Sequence, residues 1–232
     1  MLKRIFKKLF FSMFKGLTKI RTSSFSDFFI SLGYLIKSEA IFNTNGGEYL
    51  DWDRLDVHKM LASKIVNSNE EIVFLEFGVL RGQTFLIWVE QNTNPNSRFV
   101  GFDTFTGLPE DWGSIKKGSF SAFGKIPDIK DMRVDFQIGL IQDTLPNFAK
   151  NLSKGKRKII HIDVDLYNAT LITLIHLNPF LGKGDIIIFD DFFSITKSSH
   201  EPKGFLDYLK LYKTDYKSLI NCRNGHYVIE IA

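Results

Sequence analysis

The stretch KIIHIDVDLYNATLITLIHLN, residues 158–178, decides the fold. Branched apolar residues run to Ile162, then give way to two acids, Asp163 and Asp165, and a helical pattern follows from about Tyr167 to Asn178. A near-continuous apolar strand running into a helix is half of a parallel β/α unit, with the sheet covered on both faces. Two acids one residue apart at the end of such a strand fit several sites. A metal site, an acid–base pair, a nucleotide-sugar site, or a plain solvent-facing strand end with helix-capping acids all remain open.

The same pattern recurs on both sides. Strand-like runs read IVFLEFGV (72–79), RFVGFDTF (98–105), DFQIGLI (135–141), KIIHIDV (158–164) and DIIIFDD (185–191). Helical patterns occupy 83–92, 144–152, 167–178 and 201–213. The chain closes with YKSLIN, an Asn-Gly turn and HYVIEIA, a β-hairpin pattern. The expected fold is α/β and Rossmann-like. It has a seven-stranded, mostly parallel sheet ending in an antiparallel hairpin, as in class I methyltransferases.

The chain divides into a basic amphipathic helix (1–22), an N-terminal helical region (23–70) and the α/β domain (71–232). Within the second region, residues 25–37 read as one helix and 53–67 as another, the latter with Leu55, Met60, Leu61 and Ile65 as its apolar face. The polar, Gly/Pro-containing insert 106–133, with Trp112, Phe120 and Phe123, is long enough to serve as a lid.

Composition narrows the partners. The net charge is +4, but seven basic residues precede the first acid, Asp27, which leaves 23 basic against 26 acidic residues in the remainder. The body is therefore not a nucleic-acid surface. Residues 1–21 form a basic amphipathic pattern that fits either an anionic membrane or packing on protein. A single cysteine, Cys222, excludes an internal disulfide and a Cys-based metal centre, and it fits a cytoplasmic protein. No apolar run is long enough to span a bilayer.

Ligands of open α/β sheets bind beyond the carboxyl ends of the strands. The first strand ends in Glu76-x-Gly78-x-x-x-Gly82, with a helix from Thr84. Glycines there allow a tight turn and a close backbone approach. Asp103 ends the second strand, 27 residues after Glu76, where an acid can accept ribose hydroxyls. Asp163 on the fourth strand can lie beside Asp190 and Asp191 on the fifth. Clustered carboxylates repel unless a cation intervenes, and Mg²⁺ suits oxygen ligands. Asp165 is then placed to act as general base toward a hydroxyl.

EFGVLRGQT, FVGFDTFTGLP, GLIQDTLP, HIDVDLYNAT and IIIFDDF together resemble the macrocin O-methyltransferase family, which comprises metal-dependent sugar O-methyltransferases using S-adenosyl-L-methionine (SAM). The resemblance spans about residues 70–195. It implies a SAM loop of Glu76, Gly78 and Gly82 opening the helix at Thr84, with Asp103 on the ribose and Gly139 and Asp143 near the adenine. It further implies Mg²⁺ on Asp163, Asp190 and Asp191, Asp165 as base, and Tyr167 beside the substrate. Val164 stands where the family commonly has Gly, and His161 reads as a strand histidine rather than a ligand. The acceptor implied is a sugar hydroxyl of a glycoside, nucleotide-sugar or surface polysaccharide, and a homo-oligomer is expected. Catechol-type methyltransferases carry a lysine after the first ligand, where Asp165 and Asn168 stand here. A D-x-D glycosyltransferase and a non-catalytic binding protein are the alternatives.

Overall fold

The alternation of apolar runs and helices builds one eight-stranded sheet in the computed structural model. It describes residues 32–34, 36–37, 47–50, 53–112, 115–192, 200–222 and 225–232. The basic segment 1–22 and most of the helix expected over residues 25–37 lie outside the described residues. In chain order the elements are β1 (Glu48–Leu50), α1 (Arg54–Met60), β2 (Ile72–Phe77), α2 (Gln83–Gln91), β3 (Arg98–Asp103), β4 (Val134–Ile138) and α3 (Ile141–Ala149). There follow β5 (Arg157–Ile162), α4 (Tyr167–Leu177), β6 (Ile186–Phe189), α5 (His200–Tyr212), β7 (Tyr216–Cys222) and β8 (Tyr227–Ile231).

The strand order is β1-β7-β8-β6-β5-β2-β3-β4. Only β8 runs antiparallel to its neighbours, β6 and β7. Strands β2 to β8 form the expected seven-stranded sheet with its terminal hairpin. The eighth strand, β1, pairs in parallel with β7 at the far edge, so the end of NTNGGEY (43–49), which reads as a loop within the N-terminal region, contributes to the sheet.

Side-chain alternation along the strands makes two cores. On one face, Leu75, Phe77, Phe102, Ile160, Ile162 and Ile187 pack under α3, α4 and α5 through Leu145, Leu174, Phe205 and Tyr208. On the other, Phe74, Phe99, Ile159 and Ile188 pack under α1 and α2 through Val57, Leu61, Phe85 and Trp88. The inward face of α1 therefore differs from the expected one. Val57 and His58 are fully buried, while Leu55 and Met60 are only partly covered. Val57 and His58 continue at α-helical spacing into the buried Leu61 and Ala62, where the helix passes into a π-helical turn at Leu61–Ile65.

His58 sits in this second core beside a partner suited to burial. Trp88 Nε1 donates to His58 Nδ1 at 2.9 Å. Burial, with His161 and His226 nearby, holds the His58 imidazole well below its usual pKa, so it stays neutral and its Nδ1 remains an acceptor. A Trp88→Phe variant removes the donor and strands that buried nitrogen. The expected loss is about 1–3 kcal/mol, read as a lowered melting temperature. An unchanged melt would show that the bond contributes nothing.

The insert 106–133 is fastened at both ends. Trp112 is buried with Leu108 and Leu166, so it anchors the insert and does not swing with it. Near the other end, Arg133 donates to the carbonyl oxygens of Val89 and Asn92 at the last turn of α2 and pairs with Asp131 at 2.7 Å. The middle carries the exposed rings of Phe120 and Phe123.

Candidate active site

A cleft opens at the carboxyl ends of β2, β3, β5 and β6. One wall is the turn after β2. Gly78 has φ +90°, and a Cβ there would lie 1.8 Å from the carbonyl oxygen of Asp163. Gly82 caps α2 in the left-handed region, against Pro127. Asp103 ties this turn to the end of β3, accepting from the Leu80 N–H through Oδ2 and the Phe105 N–H through Oδ1, each at 2.7 Å. Gly139 and Leu140 line the same side of the cleft.

The opposite wall is acidic. The Asp163 N–H donates to the Phe77 carbonyl at 2.8 Å, and the Asp190 N–H donates to the Ile162 carbonyl at 3.1 Å, so both acids sit one residue past their strands. One oxygen each from Asp163 and Asp190 and a His161 nitrogen lie within 4.8 Å of one another. Burial, reinforced by Asp190, pushes the Asp163 carboxyl up to about 6. Burial pushes Asp190 the same way, but the imidazoles of His161 and His226 and the charge of Arg54 outweigh it and hold Asp190 well below the usual range. His226 Nε2 lies 2.8 Å from Asp190 Oδ1.

His161 faces acids with both ring nitrogens, Glu76 at 3.3 Å and Asp190 at 3.6 Å. Burial alone would lower its pKa, yet these two carboxylates raise it to about 9. An imidazolium has no lone pair to give a metal. The two carboxylates favour the protonated form of His161, and the carboxylates of Asp163, Asp190 and Asp191 are the oxygen donors that suit a hard divalent ion. All three line the cleft. The Asp191 N–H donates to Glu201 Oε2 at 3.0 Å. Burial and the neighbouring acids push Glu201 far up, so it stays a neutral acid under the cluster.

Asp165 also lines the cleft, with φ +60°. The other expected site residues are placed differently. Glu76 is fully buried and accepts the Thr84 hydroxyl, so both hold the turn from behind and neither faces the cleft. Asp143 is exposed in the first turn of α3, with its neighbours Ile141 and Gln142 on the cleft wall. The Tyr167 hydroxyl donates to Asp207 on α5 at 3.2 Å, and Lys203 covers its ring.

The sequence reading missed Arg54, His58, His226 and Glu201. For His161, which reads as a strand histidine, a local signal was available. His161 and Asp163 are two apart on a strand and so share a face.

Residues 114–211 match the family model described as Macrocin-O-methyltransferase (TylF). That segment holds Asp163, Asp165, Asp190 and Asp191. No curated protein sequence shows significant similarity to the chain. Among solved structures, NovP, an O-methyltransferase, superposes with a TM-score of 0.58 at 19% identity, covering 77% of this chain and 79% of that one. CalS11, described as a calicheamicin methyltransferase, gives 0.56 at 22% identity over 76% of each chain. An O-methyltransferase from Bacillus cereus, in complex with SAH, gives 0.51 at 15% identity over 87% and 90%. The fold is that of the class I methyltransferases. Over residues 114–211 the chain is similar in sequence to the macrocin O-methyltransferase family.

Proposed function

We propose that the protein is a SAM- and Mg²⁺-dependent O-methyltransferase acting on a sugar hydroxyl. The observation that carries this reading is the contact between the two walls of the cleft. The glycine turn suited to SAM rests on the backbone of Asp163, the first residue of the acidic wall. A methyl donor and an activated oxygen are thereby held side by side, and alignment of two reactants is a large part of such catalysis. The family match and the SAH bound to the Bacillus cereus relative support the cofactor. CalS11 is also described as a TDP-rhamnose 3'-O-methyltransferase, which supports a sugar acceptor.

In this reading Asp103 accepts the ribose hydroxyls through lone pairs left over from its two backbone bonds. Gly78 admits the donor close to the backbone, and Gly139 and Leu140 flank the adenine. Glu76 and Thr84 hold the turn in shape. A divalent ion held by Asp163, Asp190 and Asp191 supplies Lewis acidity that lowers the pKa of the acceptor hydroxyl. Asp165 takes the hydroxyl proton. SAM would supply the methyl group, its C–S bond giving the electron pair to sulfur as the deprotonated acceptor oxygen takes the methyl carbon. Phe120 shields the mouth from water.

A cytoplasmic location, peripheral contact with an anionic membrane through residues 1–21 and a homo-oligomer belong to the same proposal. They rest on the charge pattern and the family resemblance. Among the described residues no helix is long and apolar enough to cross a membrane.

Calorimetric titration of SAM tests the core of the reading. Wild type is expected to bind, and Asp103→Ala to bind at least tenfold more weakly, because hydrogen bonds to a charged group contribute about 1.5–3 kcal/mol. No binding to wild type, with or without Mg²⁺, overturns it.

A further inference from the structure

The acidic wall already holds a cation of its own. Arg54, at the start of α1, pairs through Nη2 with Asp163 Oδ2. Its Nη1 lies 3.3 Å from Asp190 Oδ2 and its Nε 3.3 Å from Asp190 Oδ1. One guanidinium therefore spans both aspartates and engages the oxygens that a divalent ion would take. The planar fork of arginine suits this bridging role.

The two cations exclude each other. They compete for the same lone pairs and repel at contact distance. Removing both leaves Asp163 and Asp190 facing each other with only the imidazoles behind. The guanidinium also has somewhere to go. The Arg54 side chain is 39% exposed, against 16% and 9% for the two carboxylates it bridges. Besides the main cleft it lines a second cavity, which Arg81, Gln83, Gly118 and Phe120 also border.

We propose that Arg54 is the resident counter-cation of the acidic site, and that a divalent metal ion binds only by ejecting it toward the second cavity. This rests on the metal part of the function proposed above. Metal affinity is then set by an exchange of cations, and Arg54 weakens it. Arg54 is a positioning residue in this scheme. It keeps the acids apart and ordered while no ion is bound.

Mn²⁺ binding, followed by the loss of the free-ion paramagnetic resonance signal, tests the exchange in the full-length chain. Arg54→Ala is expected to bind Mn²⁺ at least tenfold more tightly than wild type. Arg54→Lys, which keeps the charge and loses the fork, should fall between. In wild type, Mn²⁺ should speed modification of Arg54 by phenylglyoxal, read by peptide mass spectrometry, so the proposal stays testable if Arg54→Ala fails to fold. Equal or weaker Mn²⁺ binding by a folded Arg54→Ala overturns the proposal. So does an unchanged or slowed Arg54 modification. Absence of Mn²⁺ binding in all three proteins overturns it together with the metal assignment. SAM titration of the same samples then reports separately on whether the methyltransferase reading survives.

Discussion

Asp165→Asn is expected to lower turnover by roughly 10²–10⁴-fold, the range of a lost general base, while SAM and Mn²⁺ bind as in wild type. Asp165 has φ +60°, a region that asparagine tolerates better than most residues. The substitution keeps size and backbone and removes the charge and the capacity to take a proton. Asp163 differs in kind. It lies one residue past β5, is bridged to Arg54, and shares a 4.8 Å group with His161 and Asp190. Asp163→Asn is therefore expected to lose Mn²⁺ binding as well as turnover. Turnover with a sugar acceptor and Mn²⁺ titration of the two variants separate the roles. Equal loss of metal binding in both would place Asp165 among the ligands and leave the reaction without an assigned base.

The parts of this molecule that could be read from sequence are those with a local cause. Strands buried on both faces read as continuous apolar runs, so β2, β3, β5 and β6 were legible. Acids that interrupt such runs stand out, so Asp103, Asp163, Asp190 and Asp191 were found at the cleft. Boundaries were less legible. DFQIGLI read as one strand to 141, but β4 ends at Ile138, Gly139 turns at φ +140°, and extended Leu140 caps a helix that begins at Ile141. Strand β1 has only three residues, too short for a period to show.

The second layer of the site was illegible for a different reason. His226 reaches Asp190 because Tyr227 on β8 pairs with Phe189 on β6, a register set across the sheet. Arg54 arrives from a helix whose pattern reports only which side chains are apolar. His58 was hidden because it shares a regular α-helical stripe with Val57, Leu61 and Ala62, and an apolar pattern gives a histidine no place on such a stripe. Glu76 and Thr84 were found as a motif, but the sequence could not show that the pair faces away from the cleft. Their bond lies behind the turn, where His161 also reaches Glu76. The motif therefore marks a loop whose shape matters, even where its individual side chains meet no ligand.

Gly78→Ala is the substitution with the largest expected effect on the fold. Two penalties coincide at this position. Its φ of +90° disfavours any side chain, and the added Cβ would lie 1.8 Å from the Asp163 carbonyl oxygen. The obstacle is backbone, so no rotamer change relieves it. Strands β2 and β5 are hydrogen-bonded neighbours, and the turn can move away only by loosening their ends. The expected destabilisation exceeds about 3 kcal/mol, the range of strained, overpacked buried sites, or roughly 6–12 °C in melting temperature for a chain of this size. Gly118→Ala is the control. It has a similar φ, +83°, with nothing within 4 Å of the added Cβ, so only the backbone penalty of about 1–2 kcal/mol applies. SAM affinity should fall in Gly78→Ala and hold in Gly118→Ala, because the first displaces the turn that meets the cofactor. If the two variants melted within about 2 °C of each other, a gap below 1 kcal/mol, the close approach of the glycine turn to Asp163 would be wrong. The side-by-side placement of donor and acceptor would then lose its structural basis.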